Sequence, residues 1–261
     1  MDGTAMSGAR CGRARSKAWT FWPAAVAFGW AVLIALSAAS RGQVTDQTEA
    51  MCEPGVSVSF DEPAELDGSC AAWREVAGYF RKVGFTDLGS VSIVFAERVP
   101  QTSSQLPLSH GYFDAARSRI VIYRSTPAKA WGLAWTPEIA LSFLRHELVH
   151  TSIWTILRSR SAHLRREWHE FLAYAIQFEM MEPALRDKAL GGFHEVHAFT
   201  HLGEINEFTY GMNPEVFAVA AYKTYLARGG SAFVGGVLRE EIKLPSPSYP
   251  FPVLPDQVRP N

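Results

Sequence analysis

The sequence predicts an α+β fold, with a small mixed sheet and one helix in the N-terminal half, then a buried helix and a mainly helical C-terminal half. Three observations support this prediction. Short runs rich in β-branched residues occur before residue 125, a strong helix start lies at Thr136, and later apolar residues recur at helical spacing. The 261 residues, 48% of them hydrophobic, are enough for one domain or two small ones.

The N-terminal elements follow from their apolar patterns. Gly84 follows a helical pattern and is typical of a helix end, and residues 115–118 read as the turn of a hairpin. The predicted elements are the strand Val56–Phe60, the helix Cys70–Val83, the strand Val91–Phe95, and a hairpin of Gly111–Asp114 with Arg119–Tyr123.

The second half begins with Thr136-Pro137-Glu138, which supplies an N-cap, a proline at the first helical position and an acid in the first turn. Later helices are predicted over Trp168–Gln177, Ala184–Leu190 and Asn213–Arg228. From Leu244 to Asn261 the chain has six prolines in 18 residues, which excludes a packed helix or a central strand. The domain boundaries are therefore an N-terminal segment 1–39, a folded body 40–243 and a proline-rich tail 244–261.

The most informative motif is HExxH, formed by His146, Glu147 and His150 on the helix that starts at Thr136. Residues i and i+4 of a helix share a face, so both imidazoles can bind one metal ion. Zinc is the ion expected at such a pair of histidines. The glutamate beside them can act as a base toward a water that the metal activates. The helix is apolar over most of its surface, and a bound metal would satisfy these buried polar groups.

Glu170 is the predicted third metal ligand, because it follows His150 by 20 residues on the next helix and a short connection brings two helices into antiparallel contact. Other candidate ligands stay open at this stage, namely Glu167, His163 and His169. The segment that carries His194, His197 and His201 lacks a helical apolar period, which favours loop or surface histidines.

This arrangement resembles the gluzincins, the thermolysin-like metallopeptidases with a glutamate as third zinc ligand on the following helix. The resemblance covers about 35 residues, from the HExxH motif to the glutamate of the next helix. It implies a zincin-like fold and a zinc-dependent peptidase with His146, His150 and Glu170 as ligands and Glu147 as catalytic base. Where gluzincins of this type carry an Asp to orient a zinc histidine, this chain has Tyr174, so the orienting residue is not evident.

The resemblance also implies a protein or peptide substrate, held in extended form along an edge strand, for which Gly111–Asp114 is the candidate. Tyr210 or His201 are candidate donors to the oxyanion of the reaction. Two alternatives remain open at this stage: a non-catalytic protein with a structural zinc site, and a cell-envelope interaction module whose HExxH arose by chance. The net charge of −1 gives no basic surface, so no nucleic-acid partner is expected.

The N-terminal segment has the pattern of an export signal. Four bases between Arg10 and Lys17 precede an uncharged stretch from Ala18 to Ser40, which predicts either a signal peptide cleaved near Ala39 or a retained single-pass membrane anchor. In both cases the catalytic body is expected outside the cytoplasm, secreted, periplasmic or membrane-anchored. Cys52 and Cys70 are then expected to form a disulfide, with two free structural cysteines as the alternative.

Overall fold

The computed structural model describes residues 47–98, 110–160 and 162–246, and shows a mixed α/β architecture in these ranges. Five strands form one sheet in the order β1-β2-β3-β5-β4. The inner pairs β2–β3 and β3–β5 are parallel, and the outer pairs β1–β2 and β5–β4 are antiparallel. The strands are β1 (Thr48–Glu53), β2 (Val56–Phe60), β3 (Val91–Arg98), β4 (Gly111–Asp114) and β5 (Arg119–Ser125).

Seven α-helices lie in the described ranges, most of them after the sheet. The helices are α1 (Pro63–Lys82), α2 (Pro137–Ser159), α3 (Arg166–Met180), α4 (Pro183–Gly191), α5 (Glu207–Met212), α6 (Pro214–Ala227) and α7 (Ser231–Leu238). A 3-10 turn at Leu202–Glu204 precedes α5. Helix α1 connects the parallel strands β2 and β3 and packs on β1 and β2.

Helix α2 is the central element of the described body. It contacts α1, the hairpin strands β4 and β5, and helices α3 and α7. The Thr136 side chain accepts a hydrogen bond from the backbone N–H of Ile139, and Pro137 occupies the first turn, as the sequence predicts. Because α2 is covered on several sides, Leu144, Leu148 and Ile153 are fully buried. The HExxH motif therefore sits on a helix that is packed on several sides.

Several elements differ from the sequence prediction. Helix α1 begins at Pro63, seven residues before the predicted start, because Glu62 and Glu65 form a capping box ahead of the apolar run. Strand β1 and helices α5 and α7 were not predicted. Helix α7 contains Gly235 and Gly236, whose low helix propensity hides it in the sequence, yet both glycines are buried.

A disulfide joins Cys52 of β1 to Cys70 of α1 and so ties an edge strand to the helix that covers it. In the described ranges, no helix has both the length and the apolar character needed to cross a membrane. The predicted export segment, residues 99–109 and most of the proline-rich tail lie outside the described residues.

Candidate metal centre

The structure brings His146, His150 and Glu170 together, with the two histidines on α2 and the glutamate on α3. Nε2 of His146 lies 3.0 Å from Nε2 of His150. Oε2 of Glu170 lies 3.5 Å from the first nitrogen and 3.7 Å from the second. Within the described ranges this is the one group of three His, Cys, Asp or Glu side chains whose potential ligand atoms converge in this way.

These three atoms have the spacing that a zinc ion requires. A triangle with sides of 3.0, 3.5 and 3.7 Å has a centre ~2.0 Å from each corner. Zinc–nitrogen and zinc–carboxylate distances are also about 2.0 to 2.2 Å. An ion can therefore contact all three atoms without movement of the backbone, and the donor set of two imidazoles and one carboxylate suits zinc.

Gln177 orients the first histidine. Its amide oxygen Oε1 lies 3.1 Å from Nδ1 of His146, and its amide nitrogen donates to Oγ of Ser142 at 2.9 Å. An amide oxygen only accepts hydrogen bonds, so Nδ1 of His146 must carry the proton and Nε2 keeps its lone pair for a metal. Gln177 is fully buried and lies seven residues after Glu170, on the same face of α3.

Sequence reasoning did not identify Gln177. The position expected for an orienting carboxylate is one turn after Glu170, and it holds Tyr174. The centroid of the Tyr174 ring lies 4.4 Å from the centroid of the His146 ring. The orienting group is instead a neutral amide one turn further along the helix. The sequence does contain a signal for Gln177, because its amide stands in the otherwise largely apolar stretch Phe171–Phe178. A helical projection places Gln177 on the same face as Glu170.

Glu147 is almost fully buried beside the histidines, at 7% exposure. Burial, reinforced by the nearby Glu170 carboxylate, raises the pKa of Glu147 to about 7, although His150 and the backbone N–H of Phe113 favour the ionised form. Because Phe113 belongs to β4, the edge strand predicted to bind substrate lies against the candidate base.

Burial alone would also raise the pKa of Glu170, but His150 and His146 outweigh this effect and hold the pKa below its usual range. Glu170 therefore stays ionised, as a metal ligand must.

The alternative ligands do not join this group. Glu167 forms an ion pair with Arg165 at 3.1 Å, and His163 is exposed to solvent. His169 is near, with its ring centroid 6.1 Å from that of His150, and burial lowers its pKa to about 4. It borders the site without converging on it.

A cleft of about 1060 Å³ opens over the His146–His150–Glu170 group. Strand β4 forms part of its wall, as do Trp131, Tyr174 and Tyr210. Of the two candidate oxyanion donors, Tyr210 lines the cleft, whereas His201 is exposed and lies outside its lining. His194 and His197 are exposed on the connection before α5, as expected for surface histidines.

The fold and the site together define a mixed α/β protein with a candidate metal centre on the wall of an open cleft. It belongs to DUF6639, a family of unknown function whose model matches residues 56–246. The matched range contains every residue of the candidate centre. No curated protein and no solved structure matches the chain.

Proposed function

We propose that this protein is a zinc-dependent hydrolase, specifically a peptidase of gluzincin type with a zincin-like fold. The observation that carries the proposal is the group formed by His146, His150 and Glu170, at zinc-compatible spacing on the wall of an open cleft. A structural zinc site is usually closed by a fourth protein ligand, whereas a catalytic site keeps one position open. The cleft supports the catalytic alternative.

The chain's own residues account for the proton transfers of amide hydrolysis. Zinc would polarise the substrate carbonyl and promote ionisation of a water when bound to the three ligands. Glu147 accepts a proton from the attacking water as the new C–O bond forms, and donates it to the departing amine nitrogen as the C–N bond breaks. Its position supports this exchange, because Glu147 follows the ligand His146 directly and lines the same cleft.

Strand β4 is the proposed binding edge for an extended peptide. It is the last strand of the sheet in the described ranges, and Gly111, Tyr112 and Phe113 line the cleft. A substrate added along this edge would pass Glu147 next to Phe113. Gly111 on this strand has no room for a side chain, because a Cβ there would lie 2.7 Å from the carbonyl oxygen of Val121.

Metal content and peptide hydrolysis together test the proposal. The purified protein should contain about one zinc by mass spectrometry, and it should cleave members of an N-acetylated peptide library. His146→Ala should lose both properties. A protein that retains zinc tightly but cleaves no peptide would favour a structural metal site, and a protein without zinc affinity would refute the metal centre itself.

The basic N-terminal region and the apolar stretch after it support export of the catalytic body. The Cys52–Cys70 disulfide agrees with an oxidising compartment. Deletion of residues 1–39 should retain the protein in the cytoplasm, as measured by fractionation. Continued export of the truncated protein would refute this part of the proposal.

A further inference from the structure

Helix α3 begins with two adjacent arginines, which is an unusual place for positive charge. Arg165 is the N-cap residue of α3 and Arg166 is its first helical residue, although the helix dipole disfavours positive charge at this end. Arg165 is compensated by Glu167, at 3.1 Å, and by the carbonyl oxygen of Pro245, at 3.0 Å. No carboxylate of the described residues forms an ion pair with Arg166.

Arg166 is nevertheless held in position, and it lines the cleft. Its guanidinium carbon lies 5.3 Å from the centre of the Tyr210 ring, and a side-chain hydrogen bond to Tyr210 adds to this cation–π contact. Because a guanidinium has several N–H donors, one hydrogen bond to Tyr210 leaves others for a second partner. Lys129 is the other long basic side chain of the cleft wall, and no cation–π contact within the described part of the chain holds it. A guanidinium positioned in this way is suited to bind a carboxylate through two parallel hydrogen bonds.

The helix end adds to this preference for an anion. No side chain caps the N-terminus of α3, and Leu164, Arg166 and His169 of the same stretch line the cleft. The first-turn N–H groups of a helix carry partial positive charge and bind anions. Both the guanidinium and the helix end therefore favour negative charge at one end of the cleft.

The spacing of Arg166 and the ligand Glu170 along the same helix indicates what can bind there. Arg166 lies one helical turn before Glu170, a rise of about 6 Å along α3. An extended peptide spans about 3.3 to 3.6 Å per residue. A carboxylate one or two residues beyond the scissile bond thus falls within reach of Arg166 when the scissile carbonyl is at the metal centre.

Resting on the proposed peptidase function, we infer that Arg166 and the first turn of α3 form a subsite for the C-terminal carboxylate of the substrate. The protein is then a carboxypeptidase that removes one or two residues from a peptide with a free C-terminus. Tyr210 positions the guanidinium through its ring.

Two N-acetylated peptide libraries of identical sequences, one with free C-terminal carboxylates and one amidated, test this subsite. The wild-type protein should cleave the free-acid library with kcat/KM at least ~10-fold above the amidated one, releasing one or two residues by mass spectrometry. In Arg166→Gln the ratio should fall to about one, and Arg166→Lys should be intermediate because it lacks the planar fork. Arg158→Gln, an exposed arginine of α2 outside the cleft lining, is the matched charge control and should keep the wild-type ratio.

A binding measurement separates the subsite from the chemistry. The metal-free wild-type protein should bind N-acetylphenylalanine more tightly than the corresponding amide, as detected by tryptophan fluorescence. The Arg166→Gln variant should bind the acid and the amide equally. If neither library is cleaved, the proposed function fails, and this binding result alone decides whether the carboxylate subsite exists. Equal cleavage of the two libraries by the wild type would overturn the assignment of Arg166 to the C-terminal carboxylate. Cleavage of amidated peptides only before internal Asp or Glu would overturn it as well. Both results would leave the proposed peptidase activity standing.

Discussion

Nδ1 of His146 lies 3.1 Å from the amide oxygen of Gln177 across the interface between α2 and α3. This contact holds the imidazole in the tautomer that leaves Nε2 available to a metal. The amide is held in turn by Ser142, which lies one turn before His146 on α2. Because all three side chains are almost fully excluded from solvent, rotation of any one would leave a buried polar group without a partner.

Loss of the Gln177 amide should weaken metal binding. We expect Gln177→Met, which preserves volume but removes the acceptor, to lower zinc affinity about 10- to 100-fold, as is typical for groups that orient a metal ligand. Gln177→Glu restores an acceptor and should recover most of the affinity. Competition with a chelator measures both values. Thr224→Val removes another fully buried hydrogen-bonding side chain, on α6, and should lower stability without changing zinc affinity.

Substitution of Glu147 should separate chemistry from metal binding. Glu147→Gln is expected to keep zinc while hydrolysis falls at least ~10²-fold, because an amide cannot accept the proton of the attacking water. His150→Ala should lose both zinc and activity. Zinc content by mass spectrometry and peptide cleavage rates give the comparison. Full activity of the Gln variant would exclude the general-base role.

The two neighbouring glutamates of α3 form an internal control for the third ligand. Glu170→Ala should abolish tight zinc binding, since it removes the carboxylate of the converging group. Glu167→Ala breaks the ion pair with Arg165 and should leave the metal affinity near that of the wild type. Equal losses in both variants would mean that stability of α3, and not ligation by Glu170, controls the metal content.

The disulfide should contribute measurably to stability. Its cysteines are 18 residues apart, and closing a loop of this length stabilises a protein by about 3 kcal/mol in the chain-entropy model. We expect the Cys52→Ser/Cys70→Ser double variant to lose roughly this amount in denaturant titration, with zinc affinity retained because neither cysteine lines the cleft. Two free thiols in the exported protein, found by mass analysis without reductant, would show that the bond does not form there.

Acid should weaken the contact between α1 and the sheet. Burial alone would raise the pKa of Glu65, but hydrogen bonds and charge attraction from Arg124 outweigh this, so the pKa is lowered. The stabilisation is thus complete above the unfolded-state pKa of about 4.3 and is lost as pH falls through the lower folded-state pKa. Arg124→Gln should lower stability at pH 7 and flatten this acid dependence, as followed by denaturant titrations between pH 6 and pH 3. An unchanged pH profile would contradict the linkage.

The sequence by itself specified the parts of the fold that depend on local chemistry. The cap and proline at Thr136 and Pro137 start α2 where predicted, and the hairpin β4–β5 follows its turn signal. The spacing of His146 and His150 places both imidazoles on one helical face, because a helix repeats every 3.6 residues wherever it lies. Strand β1 carried no such signal, since its residues are mostly exposed, and it is joined to the body by pairing with β2 and by the disulfide.

The tertiary structure decided the contacts between elements. Glu170 and Gln177 reach the α2 histidines only because α3 packs on α2. The sequence favoured Glu170 as the third ligand by its spacing, but it left Glu167, His163 and His169 open as alternatives. Gln177 meets His146 across 31 positions of chain, a separation over which no local propensity acts. Local sequence fixes which face of a helix a side chain occupies, but only the burial of apolar surface between helices determines which two faces meet.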